Sequence, residues 1–390
     1  MVKCHKGLKI EVALFHWICH FHRTVKTDET VKERDLAPQF EALLPQLLGR
    51  VPFVKLASIK RDVPVSPRSS AQVDQVAQVL AGERKWTLVV EKKRIGQPRE
   101  VRTAVLELER HLKDLPKDSQ SYGVLFAPFI SEESARICTD AGIGFADLAG
   151  NARLSFDQVF IESRGANNPF REKRETRSLF APKATRVLRI LLQGPLRPWK
   201  VTDLAESALV SLGWVSAVRQ QLLAREWAAE APGGFKVTKP DAVLDAWVKT
   251  DDWEKRTQTR EYSLLLPHAD EIADRVHDLL GKSRHAVTQW FAAVLRHPHT
   301  TPPLVTVYVD DFPDETGLTE NLLARRVESG GKLRLVKPRD EGLLNPLQTA
   351  HGLPLVSDVQ IYLDLIQAGQ RGDEAASELR KWPDFSGGWK

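Results

Sequence analysis

Three side chains in the first third of the chain have the types and spacing to act on a phosphate ester. Asp74, Glu91 and Lys93 fall at the ends of two apolar runs that read as neighbouring strands. Two carboxylates beside a lysine suit one divalent cation and an activated water attacking a phosphodiester. Asp74 and Glu91 are the candidate ligands of that cation. Their meeting depends on strand register. Residues 72–80 and 85–92 are separated by Ala81-Gly82-Glu83-Arg84, a plausible hairpin turn. A turn about Gly82-Glu83 pairs residues whose numbers sum to 165, which sets Asp74 opposite Glu91 on one face. Lys93, two residues on, shares that face. A slip of one residue would separate the acids.

The elements that must position this group read as a mixed α/β domain over residues 36–163. A helix is expected over 38–48, with Phe40, Leu43, Leu44 and Leu47 on one side, then a polar, proline-rich loop over 60–70. An amphipathic helix over 101–112 follows the hairpin. A buried strand is expected over 123–127, a helix over 131–141 capped by Ser131, a strand over 143–148, and a hairpin of 153–156 with 159–162. Such alternation implies a buried sheet covered by helices. Asp147 and Asn151 flank Gly150 and either act chemically or close the turn, the turn being the simpler reading.

A second group of candidates lies in residues 181–239, which read as three short helices and a glycine-tipped hairpin, a winged helix-turn-helix. The first helix runs from Pro182 to Leu192 with Val187, Leu188 and Leu191 inward, and Gly194-Pro195 stops it. Thr202 stands as N-cap of the second, which ends near Ala208. The third, 214–227, turns Val215, Val218 and Leu222 inward and leaves Trp214, Ser216, Ala217, Arg219 and Gln220 outside. Gly233-Gly234 tips the wing. A helix so held can enter the major groove, where Arg and Gln read base edges.

Charge points the same way. The chain of 390 residues carries a net +5. Residues 168–227 hold eleven Lys and Arg against five Asp and Glu, about +6 (11 − 5), so the rest is nearly neutral. Lys183, Arg186 and Lys200 join the expected DNA-binding set, together with Arg171, Lys173 and Arg174 of a basic linker over 164–180. The expected partner is double-stranded DNA.

The length accommodates two to three domains. No apolar run reaches membrane-spanning length. Three cysteines, Cys4, Cys19 and Cys138, cannot build a disulfide framework, which fits a reducing cytoplasm. Residues 1–35 read as a mobile extension; Cys4, His5, His16, Cys19, His20 and His22 match no zinc spacing.

From 255 to 385 a further α/β domain is expected. It has helices over 269–280 and 286–295, a strand over 304–309, a helix over 315–328, a strand over 332–336, and a final helix pair over 359–368 and 373–381 opened by Ser357. His285, His297 and His299 with Asp310 and Asp311 lack ligand spacing and read as surface residues. Arg339-Asp340-Glu341-Gly342 is a loop without an assigned role, and the final WPDFSGGWK reads as a fraying tail.

Two resemblances follow from these residues. Asp74, Glu91 and Lys93 on paired strands resemble the PD-(D/E)xK nuclease superfamily over about residues 36–163, although Val73, not proline, precedes Asp74. The runs GIGFADLAGNARLSF, RSLFAPKATRVLRILL, VSLGWVSAVRQQLL and SDVQIYLDL with GQRGDEAA resemble, in that order over about residues 120–380, the AbiEi family of type IV toxin–antitoxin antitoxins and transcriptional regulators. That resemblance implies a winged helix that represses its own operon and a functional partner toxin of the nucleotidyltransferase type, a complex with it not being implied. The simplest members begin at the winged helix, whereas this chain carries an α/β domain in front.

The expectation is therefore a mixed α/β (α+β) protein in three parts: a nuclease-like sheet domain, a winged helix-turn-helix at 181–250, and a C-terminal α/β domain. As a regulator it would need no cofactor. The rival expectation is a magnesium-dependent DNA nuclease using Asp74, Glu91 and Lys93, and a third is a protein-interaction scaffold.

Overall fold

The computed structural model describes residues 33–64, 72–116, 119–165, 179–299, 301–369 and 371–389. The N-terminal Cys and His residues and the linker residues Arg171, Lys173 and Arg174 lie outside them. The fold is mixed α/β, as the alternation of patterns implied. Two compact units separate, one of residues 1–96 and 101–174, the other of residues 97–100 and 175–390.

In the first unit, α1 (Glu33–Leu48) precedes β1 (Val54–Pro64), β2 (Gln72–Ala81) and β3 (Arg84–Lys92); α2 (Pro98–Lys113), β4 (Gln120–Ala127), α3 (Glu132–Asp140), β5 (Gly144–Asp147), β6 (Ala152–Phe156) and β7 (Val159–Ser163) follow. The seven strands stand in chain order in one sheet. β3, β4 and β5 are parallel, because α2 and α3 carry the chain back between them; the other pairs are antiparallel. α1 seals one face with Phe40, Leu44, Leu47 and Leu48 against Leu88, Val90, Val124 and Phe126. α2 and α3 seal the other, where Val101, Ala104, Val105 and Leu108 meet Val89, Leu125 and Phe145. Each Val, Leu or Phe among them contributes about 1.5–3 kcal/mol by leaving water. Ser131 caps α3 as expected, its hydroxyl accepting from the Ser134 amide at 3.2 Å. One expectation fails. Residues up to 64 of the supposed loop belong to β1, a mostly exposed strand whose polar outer residues hide the alternation.

The second unit begins with α4 (Pro182–Leu192), α5 (Val201–Ser207), α6 (Leu212–Ala224) and the two-stranded wing β8 (Ala228–Ala231) and β9 (Gly234–Val237). Then come α7 (Pro240–Val248), α8 (Trp253–Arg256), β10 (Thr257–Ser263), α9 (Ala269–Leu280), β11 (His285–Thr288), α10 (Gln289–Arg296), β12 (Val305–Val309), α11 (Glu315–Leu322), β13 (Arg325–Val327), β14 (Leu333–Pro338), β15 (Leu347–Ala350), β16 (Leu353–Val356), α12 (Asp358–Ile366) and α13 (Gly372–Lys381). β10 to β16 form one mixed sheet in the order β13-β10-β14-β12-β11-β16-β15. The winged helix and this sheet share a continuous apolar core from Leu179 to Phe385.

Several local expectations are corrected here. Lys200, not Thr202, is the residue before α5; Thr202 sits inside the first turn and donates its hydroxyl to Asp203. α6 starts two residues earlier than expected, at Leu212, and ends at Ala224, so Trp227 belongs to the approach to the wing. Residues 286–288, expected as helix, belong to strand β11, because β12 and β16 flank them on both sides. The helix expected over 315–328 stops at Leu322, where Leu323 turns left-handed and β13 begins. The tail does not fray: Phe385 is buried, and the Trp389 indole donates to the Leu192 carbonyl at 2.9 Å.

None of the described helices is long and apolar enough to cross a membrane.

Candidate functional site

The hairpin pairs as the sequence arithmetic required. Gln75 faces Val90, Ala77 faces Leu88 and Val79 faces Trp86, each summing to 165, with Gly82 supplying the positive φ of the turn. Continued one step, this register brings Asp74 beside the end of β3, and its carboxylate accepts from the Lys92 amide at 2.6 Å. The bond replaces a ladder contact and fixes Asp74 at the mouth of the pair.

Glu91 follows Val90 on the face toward α2. Lys93, just past β3, is anchored by its own amide donating to the Phe126 carbonyl at 2.8 Å. Its ammonium donates to Glu91 Oε1 at 2.9 Å and to Glu107 Oε2 at 2.7 Å. Glu107, which the sequence reading did not single out, comes from α2. It follows Ala104 and precedes Leu108 on the buried stripe, so an acid at the margin of that stripe was the available signal. The structure thus brings Asp74, Glu91 and Lys93 together and adds Glu107.

Electrostatics keep the group poised. Burial raises the Glu91 pKa above its ordinary 4.5; Lys93 opposes that, and the Asp74 charge adds to it. Burial pulls the Lys93 ammonium down, but hydrogen bonds to Glu107 and Glu91 outweigh it and the net shift is upward. Glu91 Oε2 is buried without a hydrogen-bond partner. A buried carboxylate oxygen with a free lone pair is what a cation ligand needs before the cation arrives. The residues therefore fit a divalent ion held by Glu91 and Asp74. Among the described residues, no three His, Cys, Asp or Glu converge as a complete ligand set.

Asp147 and Asn151 close a turn. Asp147 accepts from the Asn151 amide at 2.8 Å, the Asn151 side chain at 2.7 Å and the Ile130 amide at 2.9 Å. Burial raises its pKa despite these bonds. Every lone pair it offers is spent on shaping the end of β5. Cys138 is buried in the same layer, and burial pushes its thiol up to about 12.

In the winged helix, Val215, Val218 and Leu222 of α6 are buried. Gln220 is exposed, and Trp214, Ser216, Ala217 and Arg219 are partly exposed on the outer side. Arg219 pairs with Glu230 on the wing. The wing is fixed to the body because Trp199 pairs with Phe235 as a third, short strand, its amide donating at 2.9 Å and its carbonyl accepting at 3.1 Å. Gly234 has φ +148, and a Cβ there would lie 1.9 Å from the Trp199 carbonyl, so no other residue fits. Arg197 stacks on the Trp199 ring at 3.8 Å. Lys183 and Lys200 are exposed.

Arg186 departs from the expected DNA-binding set. Its guanidinium forms a two-pronged pair with Asp340, at 3.0 and 3.1 Å from Nε. The reason is the loop after β14: Gly342 leaves room for the arginine, where a Cβ would lie 2.1 Å from Nε. The unassigned Arg339–Gly342 loop is thus a tether for α4. Beside it Arg189 is buried, donates to Gln360 at 3.0 Å, and has its pKa pulled down to about 10 by burial. Farther in, Asp364 accepts from Arg256, Thr288 and Gln360. The histidines split up: His285 is buried rather than on the surface and meets His277 at 2.7 Å, His297 stacks on Trp382, and Asp311 pairs with Lys337.

No family model matches the chain, and no curated protein does. Among solved structures it is similar to EndoMS in apo form, at 16% identity and TM-score 0.21 over 31% of this chain and 47% of that one. It is also similar to an EndoMS–dsDNA2 complex, at 19% identity and TM-score 0.22 over 31% and 45%. The chain spans about half the length of these structures.

Proposed function

We propose that this protein is a DNA-binding regulator that reads duplex DNA with α6 and the wing. The observation that carries the reading is the stance of α6. Val215, Val218 and Leu222 root it in the core, while Ser216, Ala217, Arg219 and Gln220 face outward beside a wing locked by Trp199 and Gly234. Gln220 and Arg219 are suited to base edges, with Lys183, Lys200 and Arg197 to phosphates. The Arg219–Glu230 pair is exposed enough for a base or phosphate to take the arginine over. The four sequence runs that resemble the AbiEi antitoxins support a narrower role, repression of the protein's own operon opposite a nucleotidyltransferase-type toxin. The test is binding to the DNA upstream of its own gene. Arg219→Ala with Gln220→Ala should weaken that binding by about tenfold or more while binding to unrelated DNA changes little. Equal affinity for both DNAs in the parent protein would overturn the regulator reading.

A second reading has its own observation, the free Glu91 Oε2 beside Asp74, Lys93 and Glu107. On this reading the N-terminal unit cleaves phosphodiesters. Glu91 and Asp74 would hold a magnesium ion, which when bound would polarise the phosphate and acidify water. Lys93 holds Glu91 in place through its ammonium and sits where it can orient a water. Incubating the protein with supercoiled plasmid and magnesium or manganese tests it, and plasmid left intact at high enzyme overturns it.

A further inference from the structure

Part of the first unit's sheet is exposed. α2 and α3 lie over β3, β4 and β5 and reach Val76 of β2, but among the described residues no helix lies on the same face of β1 or of the Gln78 end of β2. Register identifies the residues there. Lys55 pairs with Leu80 and Leu80 with Lys85; Ser58 pairs with Gln78 and Gln78 with Thr87; Lys60 pairs with Val76 and Val76 with Val89. These rows share the face of Val89 and, farther on, of Asp74 and Glu91. Lys55, Ser58, Lys60, Gln78 and Lys85 are exposed. A depression of about 380 Å³ opens at the Lys85 end, lined by Gln78, Arg84, Lys85, Thr87, Ser119 and Gln120.

Charge on this face is segregated. Lys55, Lys60 and Lys85 have no ion-pair partner among the described residues, whereas Arg61, on the opposite face, is paired with Glu41. The acids Asp62, Asp74 and Glu91 gather at one end, and Glu83 lies out in the hairpin turn. Lys55 and Lys85 flank Leu80 roughly 10 Å apart, two strand spacings. Lys60 lies five residues past Lys55 but four ladder steps along, because β1 bulges between Leu56 and Ser58; that is about 13 Å, with Asp74 about 7 Å beyond it. The lysine-to-carboxylate run of about 20 Å covers roughly six base-pair steps at 3.4 Å each. Between the cations stand Ser58, Gln78 and Thr87, neutral groups of a kind that can donate to phosphate oxygens; Gln78 donates to Thr87 at 3.2 Å.

We propose that this open face is a duplex-DNA backbone track, in which Lys55, Lys60 and Lys85 neutralise phosphates and align the duplex with Asp74, Glu91 and Lys93. It is a second DNA contact, separate from α6 and the wing. Alignment with the carboxylates rests on the cleavage reading above; binding does not.

The experiment uses the full chain and a 30-base-pair duplex of mixed sequence, titrated by fluorescence anisotropy between 50 and 200 mM NaCl. Lys55→Gln, Lys60→Gln and Lys85→Gln together should lower the slope of log affinity against log salt by about three and weaken binding on the order of tenfold at 100 mM. The matching Lys→Arg triple variant should keep the slope. Thermal melting of both should match the parent, since all three side chains are exposed. In an Arg219→Ala, Gln220→Ala background the loss on removing the lysines should be the same size. An unchanged slope in the glutamine variant overturns the track, whatever the outcome for α6. Absence of cleavage with the slope lowered as expected overturns the cleavage reading alone. A slope lowered equally by the arginine variant also overturns the track, because charge would then not be what binds.

Discussion

Glu107 and Glu91 share one cation: the Lys93 ammonium lies 2.7 Å from the first and 2.9 Å from the second. The lysine neutralises two acids brought in from a helix and a strand, leaving Glu91 Oε2 free. Removing the lysine should set the carboxylates against each other. Lys93→Met is expected to destabilise the N-terminal unit by about 1–3 kcal/mol and, on the cleavage reading, to lower plasmid nicking by a hundredfold or more. Lys93→Arg should recover the stability but not the nicking. Nicking equal to the parent's in Lys93→Met would remove the lysine from any chemistry.

The raised pKa of Glu91 gives a pH dependence of definite sign. The folded chain holds the Glu91 proton more tightly than the unfolded chain, so this residue's contribution to stability falls as pH rises from 4.5 through its folded value. The carboxylate becomes a good ligand only above that value. On the cleavage reading, manganese should raise the melting temperature at pH 7.5, by a few degrees at a hundredfold excess over its dissociation constant, and progressively less as pH falls through this window. Calorimetry on the parent and on Glu91→Gln reads it; the variant should show no manganese shift. An equal shift in both would place the metal elsewhere.

Asp340 holds a different kind of charge. It satisfies Arg186 directly and lies 3.9 Å from Arg189, which is buried. Asp340→Ala should cost about 3–5 kcal/mol, because two guanidiniums lose the carboxylate they pair with and one has no route to water. Combining it with Arg189→Met should recover part of the loss. Urea unfolding of the three proteins decides; a cost below about 1 kcal/mol for Asp340→Ala would show the arginine finds other partners.

Gly234→Ala should disable the wing without unfolding the chain. The new methyl would meet the Trp199 carbonyl, so the Trp199–Phe235 pairing must break. DNA affinity is expected to drop several-fold while far-ultraviolet circular dichroism stays the same. Full affinity would mean the wing does not take part in binding.

What the sequence made legible follows from how local the signals were. The register joining Asp74 to Glu91 was readable because a two-residue turn leaves few alternatives once Gly82 supplies the positive φ. The first helix of the winged domain was readable to its ends, since proline opens it and Gly194 follows it. β1 was not, because an edge strand with one open polar face carries little hydrophobic alternation. β11 was not, because Ala286 and Val287 run straight into the apolar stripe of α10, and only β12 and β16 decide that four residues are extended. Glu107 was missed for a like reason: its partner Lys93 is fourteen residues away, and only the packing of α2 on β3 brings them together. The role of Arg186 depended on Asp340, 154 positions later.

That last kind of distance has a consequence for dissecting the chain. Trp389 closes the end of α4 by donating to the Leu192 carbonyl, 197 positions earlier, and Phe385 fills the core beside it. A fragment cut after the wing keeps α4, α5 and α6 but leaves that carbonyl without its indole donor and the slot of Phe385 open. The three helices and the wing are therefore not a detachable module: their base is built from side chains far along the sequence.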